Sequence, residues 1–87
     1  MRPPVPLSAV RIFEAAARRR SFKAAAGELN LSPSAVSHAL RKMEETLGVA
    51  LFERVGQGIA PTPAGEALRD HVGRAFAELD RGFDLVA

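Results

Sequence analysis

Residues 21–48 read SFKAAAGELNLSPSAVSHALRKMEETLG, and two helix starts and two helix stops can be read from this one stretch. Ser32 followed by Pro33 is an N-cap with proline at the first helical position, where the missing N–H is not needed and the ring presets φ. From there Val36, Leu40, Met43 and Leu47 recur at spacings of four, three and four, which places them on one stripe of a helix running to about Leu47. Ser34, Ser37, His38, Arg41 and Lys42 fall on the opposite face. Gly48 closes the helix, as glycine does where the chain must turn left-handed. Upstream, Ser21 caps a shorter helix over 22–29. Its Ala24, Ala25 and Ala26 are good helix formers and small enough for close packing between helices. Asn30 tolerates the left-handed conformation, so residues 28–31 are expected to form a tight turn.

Outward from this pair, the pattern continues in both directions. Pro3, Pro4 and Pro6 make the start extended. A first helix is expected from Leu7 or Ser8 to about Arg19, with Leu7, Val10, Phe13, Ala17 and Phe22 as its apolar stripe and Ile12, Ala15 and Ala16 widening it. Beyond Gly48, residues 51–55 suit a short strand, Gly56-Gln57-Gly58 a turn, and Ile59 the start of a return strand that Pro61 and Pro63 keep short. Thr62-Pro63 repeats the cap-then-proline signature, with Glu66 supplying an acid near the helix start. The last helix runs from Pro63 toward the chain end. The chain shows neither internal repeats nor low-complexity segments.

Eighty-seven residues suit one small domain, and 47% hydrophobic residues argue for a packed fold over disorder. With no cysteine there are no disulfides and no thiolate metal sites, which fits a reducing cytosol. No stretch approaches the roughly 20 apolar residues of a membrane span, and residues 1–6 lack a signal-peptide core, so a cytoplasmic protein is expected. Charge is unevenly placed. Residues 1–60 hold nine Lys/Arg against five Asp/Glu, and residues 61–87 hold three against five. A basic front half fits a polyanionic partner.

Two short helices joined by a tight turn, the second presenting polar side chains, form the helix-turn-helix plan. The B-DNA major groove, about 12 Å wide, admits one α-helix, and the N-terminal residues of that helix meet base edges. The candidates are Ser32, Pro33, Ser34, Ala35, Ser37, His38 and Arg41, joined by Lys23 on the preceding helix. The hairpin reads as a wing, with Arg54 at its base and Gln57 at a tip without a cation. Ser37-His38 does not read as nucleophilic chemistry, because neighbours on a helix do not face each other and no acid is placed to orient the imidazole. His38 and His71 are too few and too far apart for a metal site. No enzyme activity and no cofactor is expected. Phe13, Phe22 and Phe52 read as core. Arg18-Arg19-Arg20 reads either as a phosphate clamp or as a solvated helix end suited to the dipole.

The motifs Leu7-x2-Val10-x2-Phe13-x2-Ala16, Ser21-Phe22-x2-Ala25-Ala26-x2-Leu29, Ser34-Ala35-Val36-Ser37-His38, Glu44-x2-Leu47-Gly48-x2-Leu51-Phe52-x-Arg54 and Thr62-x-Ala64-Gly65 follow one another in order. Together they resemble the LysR-type transcriptional regulators. The resemblance implies a mostly α fold: a winged helix-turn-helix of three helices and a two-stranded wing over 1–61, with the helix-turn-helix at about 22–41, followed by a long linker helix over 62–87. It also implies double-stranded DNA as partner, an antiparallel homodimer through the last helix, and a separate C-terminal effector-binding domain, absent from these 87 residues, as the place where a small molecule would act. The chain departs from the family in Pro33 and Ala39, where Gln is frequent, in Ala24, where Arg is frequent, in Pro61, where Leu is usual, and in the neutral tip Gly56-Gln57-Gly58. Base reading is therefore expected to fall on Ser34, Ser37, His38 and Arg41.

The residues themselves also call for a partner on the last helix. Leu68, Val72, Ala75, Phe76, Leu79, Phe83 and Val86 form a stripe, and a helix of about 24 residues is about 36 Å long. Such a rod outreaches a core of this size, so a second copy on a two-fold axis is expected, reading an interrupted palindrome. Two other readings stand beside this: the stripe as intramolecular core, and the whole chain as a winged-helix protein-interaction or helical dimerisation module without DNA binding.

Overall fold

The computed structural model describes residues 5–87. Pro3 and Pro4, expected to extend the start, lie outside the described residues. Six elements follow in order: α1 (Leu7–Arg19), α2 (Phe22–Leu29), α3 (Pro33–Leu47), β1 (Phe52–Val55), β2 (Gly58–Pro61) and α4 (Pro63–Val86). This is a winged helix-turn-helix with an appended long helix.

The caps form where the sequence places them. The Ser21, Ser32 and Thr62 hydroxyls accept from the N–H groups of Ala24, Ala35 and Gly65 at 3.0, 3.1 and 3.1 Å. Each satisfies an amide that has no partner inside its helix, a gain of about 1 kcal/mol per cap. Asn30 is left-handed at φ 58°, and the Leu31 N–H reaches back to the Ala26 carbonyl at 2.9 Å. Gly48, at φ 73°, donates its N–H to the Glu44 carbonyl at 2.8 Å. Arg20 also ends α1 in the left-handed region, at φ 54°, a conformation the sequence does not announce.

The core is built largely from small side chains. Ala15, Ala16, Ala17, Ala25 and Ala26 are buried and allow α1 and α2 to approach closely, while Phe13, Leu40, Leu51 and Val36 are the largest side chains fully enclosed in it. Phe52 joins the two halves. Its ring lies 5.5 Å from that of Phe13 and 5.7 Å, edge-on, from that of Phe22. Phe22 and Phe52 are half-buried against this core rather than enclosed by it.

β1 and β2 pair antiparallel with Val55 opposite Gly58, leaving a two-residue turn. Gly56, first in that turn, has φ 60°, as a two-residue hairpin with glycine leading requires. One pair from the turn, where Ile59 faces Arg54, the Ile59 N–H donates to the Arg20 carbonyl at 3.4 Å and fastens the wing to the end of α1.

Three expectations are corrected. Leu7, assigned to the α1 stripe, is 62% exposed, because it opens the helix and projects beyond the core. Ala24 is only half-buried, and close packing falls on Ala25 and Ala26 instead. Val72, expected on a seam between two copies, lies in this chain's own core at 6% exposure, because the first half of α4 packs on α1. Leu68 and Phe76 are partly buried beside it. The exposed remainder of the stripe is Ala75, Leu79, Phe83 and Val86.

The start of α4 is pressed against the chain at Leu51. A Cβ on Gly65 would lie 2.2 Å from the Leu51 carbonyl oxygen, a distance no relaxation of a side chain can relieve. On Gly73, farther along the same helix, a Cβ would meet nothing within 4 Å. Gly65→Ala is therefore expected to destabilise the fold by about 1–3 kcal/mol. Gly73→Ala is expected to stabilise it by up to about 1 kcal/mol through helix propensity. Urea denaturation of the two variants beside the parent measures both, and equal midpoints would remove the proposed contact.

Candidate nucleic-acid interface

Helix α3 is buried on one side only. Val36, Leu40 and Met43 are in the core, whereas Ser34, Ala35, His38, Arg41, Lys42 and Glu45 are exposed. The α3 face read from the sequence as polar is therefore the face turned to solvent.

At the start of the helix Ser32 and Ser34 are exposed, and their hydroxyl oxygens stand 3.2 Å apart. Proline at N1 and the capped amide of Ala35 leave this end rigid. One turn on, the Arg41 guanidinium donates to the Ser37 hydroxyl at 3.4 Å, a long contact that leaves most of its donors unused. Ser37 is itself half-buried.

Two concave regions organise the remaining candidates. Lys23 at the start of α2, Pro33 at the start of α3, and Arg54 and Gln57 of the wing line one cleft. Ser37, Arg41 and Arg54 share a second hollow between α3 and β1, together with Glu44 and Glu53. Arg54 borders both. Side chains from three separate elements, spread from residue 23 to residue 57, thus converge along one side of α3.

The structure adds residues that the sequence reading left off the site. Lys42 and Glu45 stand beside His38 and Arg41 on the outer face of α3. The signal for Lys42 was its spacing: it lies four residues after His38, one turn along the same face. Glu53 follows from strand pairing alone and could not be placed before the hairpin register was known.

The arginine run at the end of α1 has partners. Arg18 donates to Glu14 at 2.9 Å and to Glu28 at 2.6 Å, and Arg19 donates to Glu28 at 3.0 Å. The cluster therefore ties α1 to α2 from outside. The hydrogen bonds Arg18 donates to Glu14 and then to Glu28 raise its pKa. The bonds Glu28 accepts from Arg18 and then Arg19 lower its pKa from 4.5 to about 2.

Among the described residues no group of three or more His, Asp or Glu could hold a metal ion, and no helix is long and apolar enough to cross a membrane.

The fold and the outward α3 define a winged helix-turn-helix protein. Residues 7–66 match the family described as bacterial regulatory helix-turn-helix protein, lysR family, and the chain belongs to it. It is 59% identical over 81 residues to an HTH-type transcriptional regulator of Sinorhizobium fredii, y4mQ, covering 93% of this chain and 27% of that protein. It is 52% identical over 81 residues to the HTH-type transcriptional regulator PerR of Escherichia coli, with the same coverage. The chain thus spans about a quarter of the length of the curated relatives it matches. Among solved structures, it is similar to the BenM DBD in complex with benA site 1 DNA, with a TM-score of 0.86 and 26% identity over 93% of this chain and 91% of that one.

The Glu28 cluster makes a pH prediction. A carboxyl whose pKa is lower in the folded chain stabilises it above its ordinary value of 4.5, and that contribution is lost as pH falls toward about 2. Glu28→Gln is therefore expected to melt below the parent at pH 7, with the difference closing between these two values. A difference that persists unchanged at pH 2 would place its origin elsewhere.

Proposed function

We propose that this chain binds double-stranded DNA sequence-specifically as a homodimer, with α3 in the major groove, and that it serves the transcriptional regulation for which its relatives are named. The observation that carries this reading is the exposed face of Ser34, His38 and Arg41, set beside a cleft that Lys23 and Arg54 border. The shape of the molecule resembles that of a DBD captured on DNA.

Roles follow from chemistry. The Arg41 guanidinium can take a guanine edge with two donors, and His38 can donate or accept at a base. The hydroxyls of Ser32, Ser34 and Ser37 suit bases or phosphate oxygens. Lys23 and Arg54 supply cations for the backbone on either side of the groove. Pro33 and Ala35 contribute close apolar contact without a hydrogen bond. Gln57, at a neutral wing tip, can bond to the backbone or the minor groove but adds no charge.

Residues 1–61 act as the DNA-binding unit and residues 62–87 as the linker that joins two copies. Leu7, Phe76, Leu79 and Phe83 border an apolar groove with Arg11 and Asp80 at its edge, and Leu79, Phe83 and Val86 are 43, 63 and 81% exposed. A second copy covering this surface removes it from water, and each fully buried Leu, Val or Phe gains about 1.5–3 kcal/mol. A two-fold pair then presents two α3 helices to an interrupted palindrome. The protein acts in the cytoplasm, without catalysis by this chain, and a small-molecule effector acts through a further domain as in the family.

Log affinity is expected to fall linearly with log salt. Arg41→Ala should weaken operator binding by about 1–3 kcal/mol and relax the preference at one base position, whereas Lys23→Ala should weaken all sequences alike and lower the salt slope by about 1. Titrations against operator and random DNA at several salt concentrations distinguish these. A parent with no preference for operator over random DNA, so that Arg41→Ala together with His38→Ala removes none, would favour a protein-interaction module, the reading to which the neutral Gln57 tip lends support.

The dimer has its own test. Leu79→Glu combined with Phe83→Glu should give a monomer in sedimentation with helicity intact, and a parent that stays monomeric at every concentration would refute the pairing.

A further inference from the structure

Glu44 lines the inner side of the hollow beside Ser37 and Arg41 but is assigned no DNA contact; its carboxylate is taken up by the backbone of the chain beyond α3. One carboxylate oxygen, Oε2, accepts from the N–H of Leu51 at 2.7 Å and from the N–H of Phe52 at 3.2 Å. The other side of the same segment belongs to α4. The Thr62 N–H donates to the Leu51 carbonyl at 3.0 Å, and its hydroxyl donates to the Ala50 carbonyl at 2.7 Å while accepting the N–H of Gly65. Gly65 then brings α4 so near the Leu51 oxygen that no side chain fits between them. Leu51 itself is 1% exposed, so its side chain is packed while both polar groups of its backbone are gripped.

This places the backbone of one residue between two helices, held at its N–H by α3 and at its carbonyl by the cap of α4. Hydrogen bonds to a carboxylate are shorter and stronger than neutral ones, and they fix direction as well as distance. The path from Glu44 to Thr62 runs through one side chain, that of Glu44, and from Leu51 onward through backbone alone.

We propose that Glu44 is a positioning residue: through the Leu51 backbone it fixes the direction of α4 relative to α3, and so the half-site spacing that the dimer accepts. The second part rests on the dimeric DNA-binding reading above; the first does not. In a two-fold assembly the separation of the two α3 helices follows from the direction of α4 in each copy. Loosening the grip therefore leaves each α3 able to read its half-site and widens the range of separations the pair can span.

Two measurements test this. The chain has no cysteine, so Lys42→Cys and Arg81→Cys allow spin labels to be placed on α3 and α4 alone. Labelled chains diluted with unlabelled ones should give a narrow distance distribution. Glu44→Ala should broaden it at least about twofold, Glu44→Met, which keeps the stem without a carboxylate, should broaden it likewise, and Glu44→Gln, which keeps an acceptor oxygen, should leave it narrow. Unchanged widths in Glu44→Ala and Glu44→Met overturn the proposal. If Glu44→Ala does not fold, Glu44→Met decides.

On DNA with paired half-sites at graded separations, the parent should prefer its best spacing over one two base pairs away by at least about tenfold. In Glu44→Ala that ratio should fall to about threefold or less, with single half-site affinity held within about threefold of the parent. A retained ratio, or a half-site affinity that falls as far as the ratio, overturns the spacing role. A parent that binds no DNA while the labels broaden overturns the DNA reading and leaves the α3–α4 coupling established.

Discussion

The structure depends on α3 being held from one side. Val36, Leu40 and Met43 sink into a base made by α1 and α2, and the alanines of that base let the backbones come close. With the apolar stripe fixed there, the polar face has nowhere to go but outward. The serine cap and proline at its start, and the glycine at its end, set the helix length, so the first exposed turn falls at Ser34 and not a residue earlier or later. The wing and the last helix are then arranged around this helix: Phe52 seats the hairpin on Phe13 and Phe22, and Thr62 begins α4 beside Leu51.

Much of this was legible in the sequence because it is local. Caps, prolines at N1, left-handed Asn30 and Gly48, and the stripe at spacings of four, three and four act within a few residues of themselves. They gave α2 and α3 their observed ends. The candidates Ser32, Pro33, Ser34, Ala35, His38 and Arg41 needed only the helical period to be placed on one side, and all are exposed on α3 or at its cap. The left-handed Arg20 was not legible, since an arginine carries no signal for that conformation. It is held there by the chain around it, including the wing residue Ile59 bonded to its carbonyl.

What depends on distant contacts was harder to read. A stripe on α4 shows that a face is apolar, not what covers it. Val72 and Phe83 look alike in the pattern, yet one is enclosed by α1 and the other projects past it. Leu7 fails for the same reason: it opens α1 outside the core, on a groove it shares with Phe76, Leu79 and Phe83. The arginines of residues 18–20 read equally as phosphate ligands or as a solvated end. Only the approach of Glu28 from α2 shows where Arg18 and Arg19 are engaged. Glu44 was visible as part of a motif, but its role needs the backbone of Leu51 to be folded back onto α3.

The alanine-rich core also bears on how long the molecule survives. Among the described residues six buried alanines join helices closely but remove little apolar area each, and a domain of this size has a narrow margin over its unfolded chain. Anything that binds the folded form alone adds to that margin in proportion to its occupancy. Copies seated on a partner are thereby shielded, and idle copies open more often and are the ones proteases reach first. Turnover in a cell would then track occupancy, keeping the pool of unengaged protein small without a dedicated degradation signal.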